Sequence, residues 1–288
     1  MLHRVFSAIL MMALTESAFG QFTPALLQNR SYWGDGKSEI DFYEAEFRRN
    51  NQVHQSDLVV ILTPVFVDSL TLAPIAGDTP PNAVPAIRMH EVTSISRGLT
   101  MENRAIDALW RMDTMFLARL CFVGNDEFGN ISKSVRETRD QKAVTRTYRS
   151  ESYTGAADGQ ISLGPQLVVA YDELPLRIRT VDFSKPTGEF TVDVAPTITS
   201  AEKSFGAAKP STIRWKAGER AIEVEMVHTG GSDHFTLDAS FPFLLRDWRA
   251  ADGSHWRMKN SIRADPRKYL RNGDRERALK DPMLRHPD

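Results

Sequence analysis

The sequence predicts a mainly β protein whose core is a curved antiparallel sheet, either a half-barrel or an open barrel, with short helices and a C-terminal helical tail. Apolar and polar residues alternate strictly in several segments, one of which runs from Phe190 to Val194, as they do in half-buried strands. Turn residues such as Asp252-Gly253 separate the later segments, as they do in hairpins. Hydrophobic residues at 41% and charged residues at 25% are typical of folded proteins, so a packed core is expected.

The N-terminus predicts export. Basic His3 and Arg4 precede an apolar run from Val5 to Leu14, and small residues follow at Ala18-Phe19-Gly20. Because this arrangement is typical of a cleaved secretory signal peptide, residues 1–20 are interpreted as one. The protein is therefore expected to be periplasmic or secreted. The apolar run is shorter than the ~20 residues that a membrane-crossing helix needs, so no transmembrane segment is expected.

Residues 21–263 are predicted to form a single antiparallel β-rich domain, followed by residues 264–288 as a helical or mobile tail. The net charge of −1 gives no global attraction to nucleic acid or to anionic membranes, so no nucleic-acid partner is expected. Cys121 is the only cysteine, which excludes an intramolecular disulfide. Its apolar neighbours favour a buried, inert thiol over a reactive or intermolecular one. The sequence leaves the oligomeric state open.

The first strands follow an aromatic turn at residues 32–36. Alternation predicts a strand from Glu39 onward, and the β-branched run from Leu58 to Val67 predicts a second one. Pro64 interrupts that run and favours an edge, a bulge or a strand end. Residues 68–85 contain four prolines, which predicts a loop that is mobile or draped over the surface. The next strand is expected at residues 86–96.

The middle of the chain gives several further predictions. Residues 107–123 are apolar at alternate positions, which predicts one long strand, with a helix as the alternative. Residues 130–151 alternate Thr and Val with Arg and Lys, as on an exposed sheet face. Residues 155–164 are expected to form a loop, residues 166–171 a strand that ends in Asp172-Glu173-Leu174-Pro175, and residues 178–183 a further strand.

The last part of the chain is predicted to be an antiparallel meander with turns at Gly230-Gly231, at Pro242 and at Asp252-Gly253. Its strands are expected at residues 190–194, 212–216, 221–227, 235–241, 244–249 and 255–262. Asp265-Pro266 is typical of a helix start. The basic residues of the tail alternate with acids, which favours a solvated tail, with contact to anionic lipid headgroups as the alternative.

No motif assigns a catalytic residue, and no cofactor is expected. The sequence contains no Gly-x-Ser-x-Gly nucleophile segment and no glycine-rich phosphate loop. The acids at Asp172-Glu173, Glu223 and Glu225 are interpreted as solvated faces.

Two polar clusters also have structural interpretations. His228, Asp233 and His234 flank a turn, but their spacing matches no established metal motif, so no metal site is predicted. The most basic stretch is interpreted as the outer face of a hairpin and not as a nucleic-acid surface; its residues are Arg136, Arg139, Lys142, Arg146 and Arg149, with Tyr148.

Tryptophans and methionines are spread along the whole chain. Such side chains fill cores, but on a strongly curved sheet they can also line an apolar groove. The predicted ligand-binding residues are Trp110, Met112, Trp215, Met226 and Trp256. Together with export, they favour a non-enzymatic envelope protein that binds an apolar or amphiphilic ligand, or a partner's apolar segment. The expected partner is a lipid or another envelope protein. The alternatives are a hydrolase whose site assembles only in the fold, and a purely structural interaction protein.

The N-terminal motif is expected to be structural. Gly36 can supply a positive φ for a tight turn, and the side chain of Asp35 can bond nearby backbone. Trp33 is expected to pack against the start of the sheet, and Lys37 to pair with an acid that the sequence does not identify.

The stretch from Tyr32 to Ile40, with Tyr43, resembles the Trp-x-Asp-Gly-Lys-Ala-Glu segment of a family of exported bacterial proteins that has no established function. Residues 84–89 and 172–176 are similar to that family's Val-Pro-Val-x-Lys-Leu strand and Asp-Glu-Leu-Pro-Leu turn. Where the family has Gln-Glu-Trp-Cys-Gly, this chain has residues 135–139 without a cysteine. Some members carry the label septum formation inhibitor, which no nucleotide-hydrolase motif supports here.

The resemblance carries no activity to this chain. It implies a fold similar to the curved half-barrels of periplasmic lipoprotein carriers, with a concave apolar face wrapped by long strands. That likeness is one of fold alone.

Overall fold

The computed structural model describes residues 21–49, 51–75, 80–97, 99–126, 129–139, 144–152, 155–163, 167–199 and 206–265. The predicted signal peptide and the predicted tail beyond Asp265 lie outside these residues. Within the described ranges, no helix has the length and apolarity needed to cross a membrane.

Within the described residues, the chain forms one open, curved sheet of 15 strands. The strands are β1 (Ser38–Arg49), β2 (Gln52–Asp68), β3 (Ala83–Arg97), β4 (Thr100–Arg111), β5 (Leu117–Asp126), β6 (Gly129–Arg139), β7 (Val144–Ser152), β8 (Gly155–Leu163), β9 (Val168–Ala170), β10 (Thr187–Ala195), β11 (Lys209–Ala217), β12 (Ala221–His228), β13 (Gly231–Asp238), β14 (Leu245–Arg249) and β15 (His255–Ala264). Two short α-helices accompany them, α1 (Arg30–Trp33) and α2 (Leu174–Arg177). Two 3-10 turns flank α2, at Tyr171–Glu173 and Ile178–Thr180. The predicted mainly β fold class is confirmed.

The strand order is β8-β7-β6-β5-β4-β3-β2-β1-β15-β14-β13-β12-β11-β10-β9. The first of these strands, β1, therefore lies in the interior of the sheet, and the chain meanders from it out to one edge at β8. It then crosses to the other edge at β9 and meanders back until β15 pairs with β1. Neighbouring strands are antiparallel except β9 and β10, which are parallel. The predicted antiparallel meander of the last strands is present, although β13 ends at Asp238.

The main hydrophobic core lies on the concave face. In β2, for example, Leu58, Val60 and Leu62 are buried there, whereas the residues between them are more exposed. This period of two is what a strand with one buried face requires. Residues 171–180, called the interior segment below, pack against the same face, and each of them except Tyr171 is buried.

The proline-rich region is shorter than predicted. β3 already begins at Ala83, so Pro85 belongs to a strand, where it lies opposite Phe66 of β2. Leu72 of the preceding loop is buried on the convex face, in a cluster that includes Val67 and Leu109. Pro64 lies beyond the ladder between β1 and β2, which ends at Leu62. Its missing N–H therefore costs no bond to β1.

Residues 107–123 do not form one long strand or a helix. β4 ends at Arg111 and β5 begins at Leu117, and the intervening turn is closed by hydrogen bonds from the Met115 N–H to the Arg111 carbonyl and from the Arg111 N–H to the Phe116 carbonyl. Asp113 within this turn pairs with Arg111 at 2.6 Å. Because residues on both sides of the turn are apolar, the alternation looks continuous in the sequence, although the segment forms a hairpin.

Residues 155–164 were predicted to be a loop, but residues 155–163 form β8, which pairs with β7 along its length. Packing explains the presence of Gly159 within this strand. A Cβ at Gly159 would lie 2.6 Å from the Tyr148 hydroxyl oxygen, so this strand position needs a residue without a side chain.

Three further predictions are wrong in detail. Residues 178–180 form a helical turn and not a strand. The prediction was wrong because the spacing of Ile178 and Val181 is compatible with a buried helical turn as well as with a strand. Arg146 points into the core and not outward. Cys121 is half-buried; burial raises the pKa of its thiol, as expected of an unreactive cysteine.

Candidate functional site: a carboxyl-lined cavity

The interior segment is held at one end by a buried ion pair. Arg179 donates two hydrogen bonds to the carboxylate of Glu39 on β1, at 2.6 and 3.0 Å. It also donates to the carbonyl of Pro242 at 3.0 Å. The Tyr32 hydroxyl donates to the same carboxylate. A charge-assisted pair of this geometry fixes both side chains in the core.

This pair sets the ionisation of its neighbours. Burial alone would raise the pKa of Glu39, but the charge and hydrogen bonds of Arg179 bring it below its usual range. Burial and the charge of Glu39 hold the pKa of Asp41 well above its usual range. The environment thus favours the ionised form of Glu39 and the neutral form of Asp41.

The other end of the interior segment is held by Glu173. Its carboxylate accepts hydrogen bonds from Nε1 of Trp110 at 2.5 Å, from Arg177 at 3.0 Å and from the N–H of Ala170 at 2.8 Å. Asp172 and Glu173 are both buried, so their interpretation as a solvated acidic face is wrong. They lie inside because the segment that carries them fills the concave face.

The five predicted ligand-binding residues do not share one groove. Trp110 is 1% exposed and is bonded to Glu173, and Met226 is fully buried. Nε1 of Trp215 donates to the Lys185 carbonyl at 3.1 Å, and its ring packs against Phe190. Met112 packs at the margin of the core.

Trp256 differs from the other four because it lines a cavity at the rim of the sheet. This space, called the carboxyl cavity below, has a volume of about 130 Å³. Acidic, aromatic and hydroxyl side chains converge on it. Its lining residues are Phe47, Glu91, Thr93, Arg104, Ile106, Tyr171, Asp172, Pro175, Thr197, Thr199, Trp248, Ala250, Asp252, Ser254 and Trp256.

Glu91 is the least expected residue of the cavity. Its side chain points inward from β3, and the residue is only 7% exposed. No hydrogen-bond or ion-pair partner for its carboxyl occurs among the described residues. Burial, followed by the nearby charge of Asp172, raises the pKa of Glu91 to about 8. Glu91 therefore presents a largely protonated carboxyl to the cavity at neutral pH.

Asp172 provides the second carboxyl. It accepts hydrogen bonds from Oγ1 of Thr197 at 2.5 Å and from the N–H of Ile198 at 2.7 Å. Burial raises the pKa of Asp172 to about 6, although these two bonds oppose the increase. Its orientation is thus fixed by neighbours, whereas that of Glu91 is not.

An aromatic corner forms one wall of the cavity. The rings of Trp248 and Trp256 meet edge to face with centroids 4.5 Å apart, and Tyr171 lies 5.6 Å from Trp248. The Tyr171 hydroxyl and Nε1 of Trp248 both donate to Oδ1 of Asp233, at 2.7 and 3.2 Å. His228 contacts the other oxygen of Asp233 at 2.8 Å. The Asp233 carboxylate therefore fixes the positions of Tyr171 and Trp248 in this wall.

His234 is exposed on the face opposite to Asp233. In the part of the chain that the structure describes, no three His, Cys, Asp or Glu side chains are grouped as a metal site would require.

The positive charge at the cavity belongs to Arg104, whose Nη2 is buried without a hydrogen-bond partner among the described residues. Nε of Arg104 lies 2.5 Å from the Glu102 carboxylate, and the guanidinium lies 5.9 Å from the centroid of the Phe47 ring. Arg104 thus belongs to the cavity wall with its counter-ion already in place.

A second, smaller cavity of about 30 Å³ lies near the two edges of the sheet and is mostly apolar, with lining residues that include Leu120, Val135 and Ile161. Arg146 of β7 also lines it. This side chain donates to Glu137 at 2.9 Å and to the carbonyl of Val168 on β9 at 2.7 Å. The Arg146 side chain therefore links β7, which is next to the edge strand β8, to β9 at the other edge of the sheet.

The N-terminal motif lies away from both cavities and forms a turn at the start of the sheet. Nε1 of Trp33 donates to the Leu26 carbonyl at 2.8 Å. The carboxylate of Asp35 accepts from the N–H of Lys37 at 2.9 Å and from Arg263 at 2.6 Å. Gly36 has a φ of 72°, which favours glycine. Nζ of Lys37 lies 3.8 Å from Asp35, the acid that the sequence could not identify.

Sequence reasoning missed Glu91, although a signal was present. Ile87, Met89, Glu91 and Thr93 share one phase of the alternation in β3. An acid in phase with two large apolar residues points toward the core.

No family model matches the chain, and no curated protein matches it. Among solved structures, it is similar to a crystal structure described as a β-barrel-like protein of domain of unknown function DUF1849 from Brucella abortus. The TM-score is 0.47 with 8% sequence identity, and the alignment covers 80% of this chain and 99% of that chain. A similarity of this size supports no statement on function, and the open curved sheet described above rests on this chain's own strand pairing.

Proposed function

We propose that this protein is an exported, non-enzymatic envelope protein that binds a small amphiphilic ligand in the carboxyl cavity. The observation that carries the proposal is Glu91, a buried carboxyl without a protein partner that faces a cavity with an aromatic wall. The oxygens of Glu91 keep only the small solvent access that the cavity provides, and a carboxyl with so little hydration and no protein partner is costly to bury. A ligand that supplies the missing partner recovers part of that cost, which favours binding.

The interior segment limits the size of the ligand. Residues 171–180 pack against the concave face of the sheet, so among the described residues they occupy space that a long apolar groove of the kind expected from the sequence would need. The space at the rim suits a small molecule or one end of a larger one. Its aromatic wall, which includes Trp248 and Trp256, can contact an apolar part, while Glu91 and Asp172 contact a polar group.

The proposal is tested with protein purified from its native compartment. Organic extraction and mass spectrometry should identify a copurified small molecule. In the variant Ala250→Phe, a ring fills the cavity, so the molecule should be lost. In the control Ala156→Phe, the ring lies on exposed β8, so the molecule should remain. An extract without any bound molecule, or equal recovery from both variants, would contradict the proposal.

Export is tested separately by sequencing the N-terminus of the protein from an envelope fraction. Cleavage close to Gly20 is expected. A cytosolic protein that retains residues 1–20 would refute this part.

A hydrolase is the second candidate, and a specific observation favours it. Glu91 and Asp172 both have raised pKa values, of about 8 and about 6, in one cavity, and such pairs can serve as general acid and general base. Assays with chromogenic esters and glycosides would decide between the two. Turnover that disappears in Glu91→Gln supports the hydrolase, whereas binding without turnover supports the binding protein.

A further inference from the structure

We propose that the carboxyl cavity recognises an alkylammonium group, with the cation against Glu91 and Asp172 and the alkyl part against the aromatic wall. This inference rests on the proposed function and adds the chemical class of the ligand. Its starting point is geometric. Two carboxyls approach one cavity from different elements, β3 and the turn before α2, and Glu91 has no partner among the described residues.

The charges around the cavity favour a cation. Besides Glu91 and Asp172, the charged or titratable groups that line it are Arg104 from β4, Tyr171 from the turn before α2 and Asp252 from the turn between β14 and β15. Glu102 already pairs with Arg104, and the Tyr171 hydroxyl is bonded to Asp233. Glu102 neutralises the charge of Arg104, although Nη2 of Arg104 has no hydrogen-bond partner among the described residues. The remaining charged groups at the cavity are acids, so a cationic ligand meets net attraction and an anionic one net repulsion.

The aromatic side chains provide the second element of recognition. Phe47, Tyr171, Trp248 and Trp256 line the same cavity as the two carboxyls. Aromatic rings attract organic cations through their negative faces and also accommodate alkyl groups. A divalent metal ion fits the same side chains poorly, because it would need oxygen ligands where the rings lie.

Binding of a cation should be linked to release of a proton. The pKa of Glu91 in the empty cavity is raised to about 8, so this carboxyl is largely neutral below that pH. An ammonium ion stabilises the ionised carboxylate and lowers its pKa. Affinity should therefore increase as pH rises from 6 to 8.5, while the ammonium itself stays protonated.

The experiment is isothermal titration calorimetry of the mature protein with hexylammonium, hexanol and hexanoate at pH 6.0, 7.0 and 8.5. Hexylammonium should bind most tightly, with affinity roughly tenfold or more higher at pH 8.5 than at pH 6.0. Glu91→Gln should weaken the binding and remove most of this pH dependence; Asp172, with a pKa of about 6, accounts for the small part that remains near pH 6.0. Glu223→Gln, which changes an exposed acid on β12, should leave both unchanged.

The outcomes separate the two proposals. If hexanol or hexanoate binds as well as hexylammonium and Glu91→Gln has no effect, the cavity binds ligands but the ammonium inference is wrong. If none of the three probes binds and no molecule copurifies, both proposals fail. The pH dependence of the unmodified protein is a test that needs no variant to fold.

Discussion

The ion pair between Arg179 and Glu39 gives the sharpest prediction about stability. The Arg179 side chain is 1% exposed and that of Glu39 is fully buried. In Arg179→Met, a buried carboxylate loses its cation, and the interior segment loses its attachment to β1. Removing one partner of a buried pair typically costs ~3 to 5 kcal/mol. For a protein of this size, that corresponds to a decrease in melting temperature of roughly 10 °C.

Glu39→Gln should cost less than Arg179→Met. When the charge of Glu39 is removed, the main cause of repulsion on Asp41 disappears, and Asp41 can ionise and take over as the counter-ion of Arg179. The double variant should recover part of the loss, because it leaves neither charge buried alone.

The measurement is urea unfolding followed by tryptophan fluorescence, with the single and double variants combined in a double-mutant cycle. Arg214→Met is the control, because its ion pair with Glu189 is more than half exposed and should contribute ~1 kcal/mol or less. The reasoning is refuted if the two substitutions add within ~0.5 kcal/mol, or if Arg179→Met is no more destabilising than Arg214→Met.

Three further predictions follow from the remaining contacts. Trp33→Ala should cost ~3 to 5 kcal/mol, because a buried aromatic side chain is lost, and thermal melting should detect this before any ligand binding changes; an unchanged melting temperature would contradict a structural role. The folded-state pKa of Glu91, about 8, lies above its unfolded value near ~4.3, so its stabilising contribution is complete below about pH 4 and is lost as pH rises to about 8. Glu91→Gln should therefore be more stable than the unmodified protein at pH 9 but not at pH 4, and equal differences at both pH values would contradict this. Arg146→Met removes the donor to the Val168 carbonyl, so hydrogen exchange should become faster in β7, β8 and β9, whereas Arg149→Met, on the exposed face of the same strand, should leave exchange unchanged.

The sequence predicted much of the second half of the sheet well because each of the strands β10 to β13 has one face on the core and one that is more exposed. In β10, for example, Phe190, Val192 and Val194 are buried and alternate with more exposed residues. The same reasoning failed where both faces of an element are covered. Apart from Tyr171, the residues of the interior segment are all buried, whether apolar or charged, so the segment has no two-residue period.

The candidate site was harder to predict than the fold. Of the five residues expected to bind a ligand, Trp256 lines the carboxyl cavity, and the others pack in or beside the core. A tryptophan in a core and one in a cavity have the same local sequence pattern. Glu91 and Asp172 line the same cavity but lie far apart in the chain. The alternation within a single strand does not reveal that they meet.

The position of β1 has a consequence for the order of folding. Its partners are β2, the next strand in the chain, and β15, which is distant in the sequence, and Ser38 lies opposite Ala264. One edge of β1 therefore stays unpaired until β15 has been synthesised. Such distant pairings slow folding, and an open strand edge promotes aggregation. A chain truncated before β15 should thus associate through β1, and a chaperone that covers this edge should suppress that association.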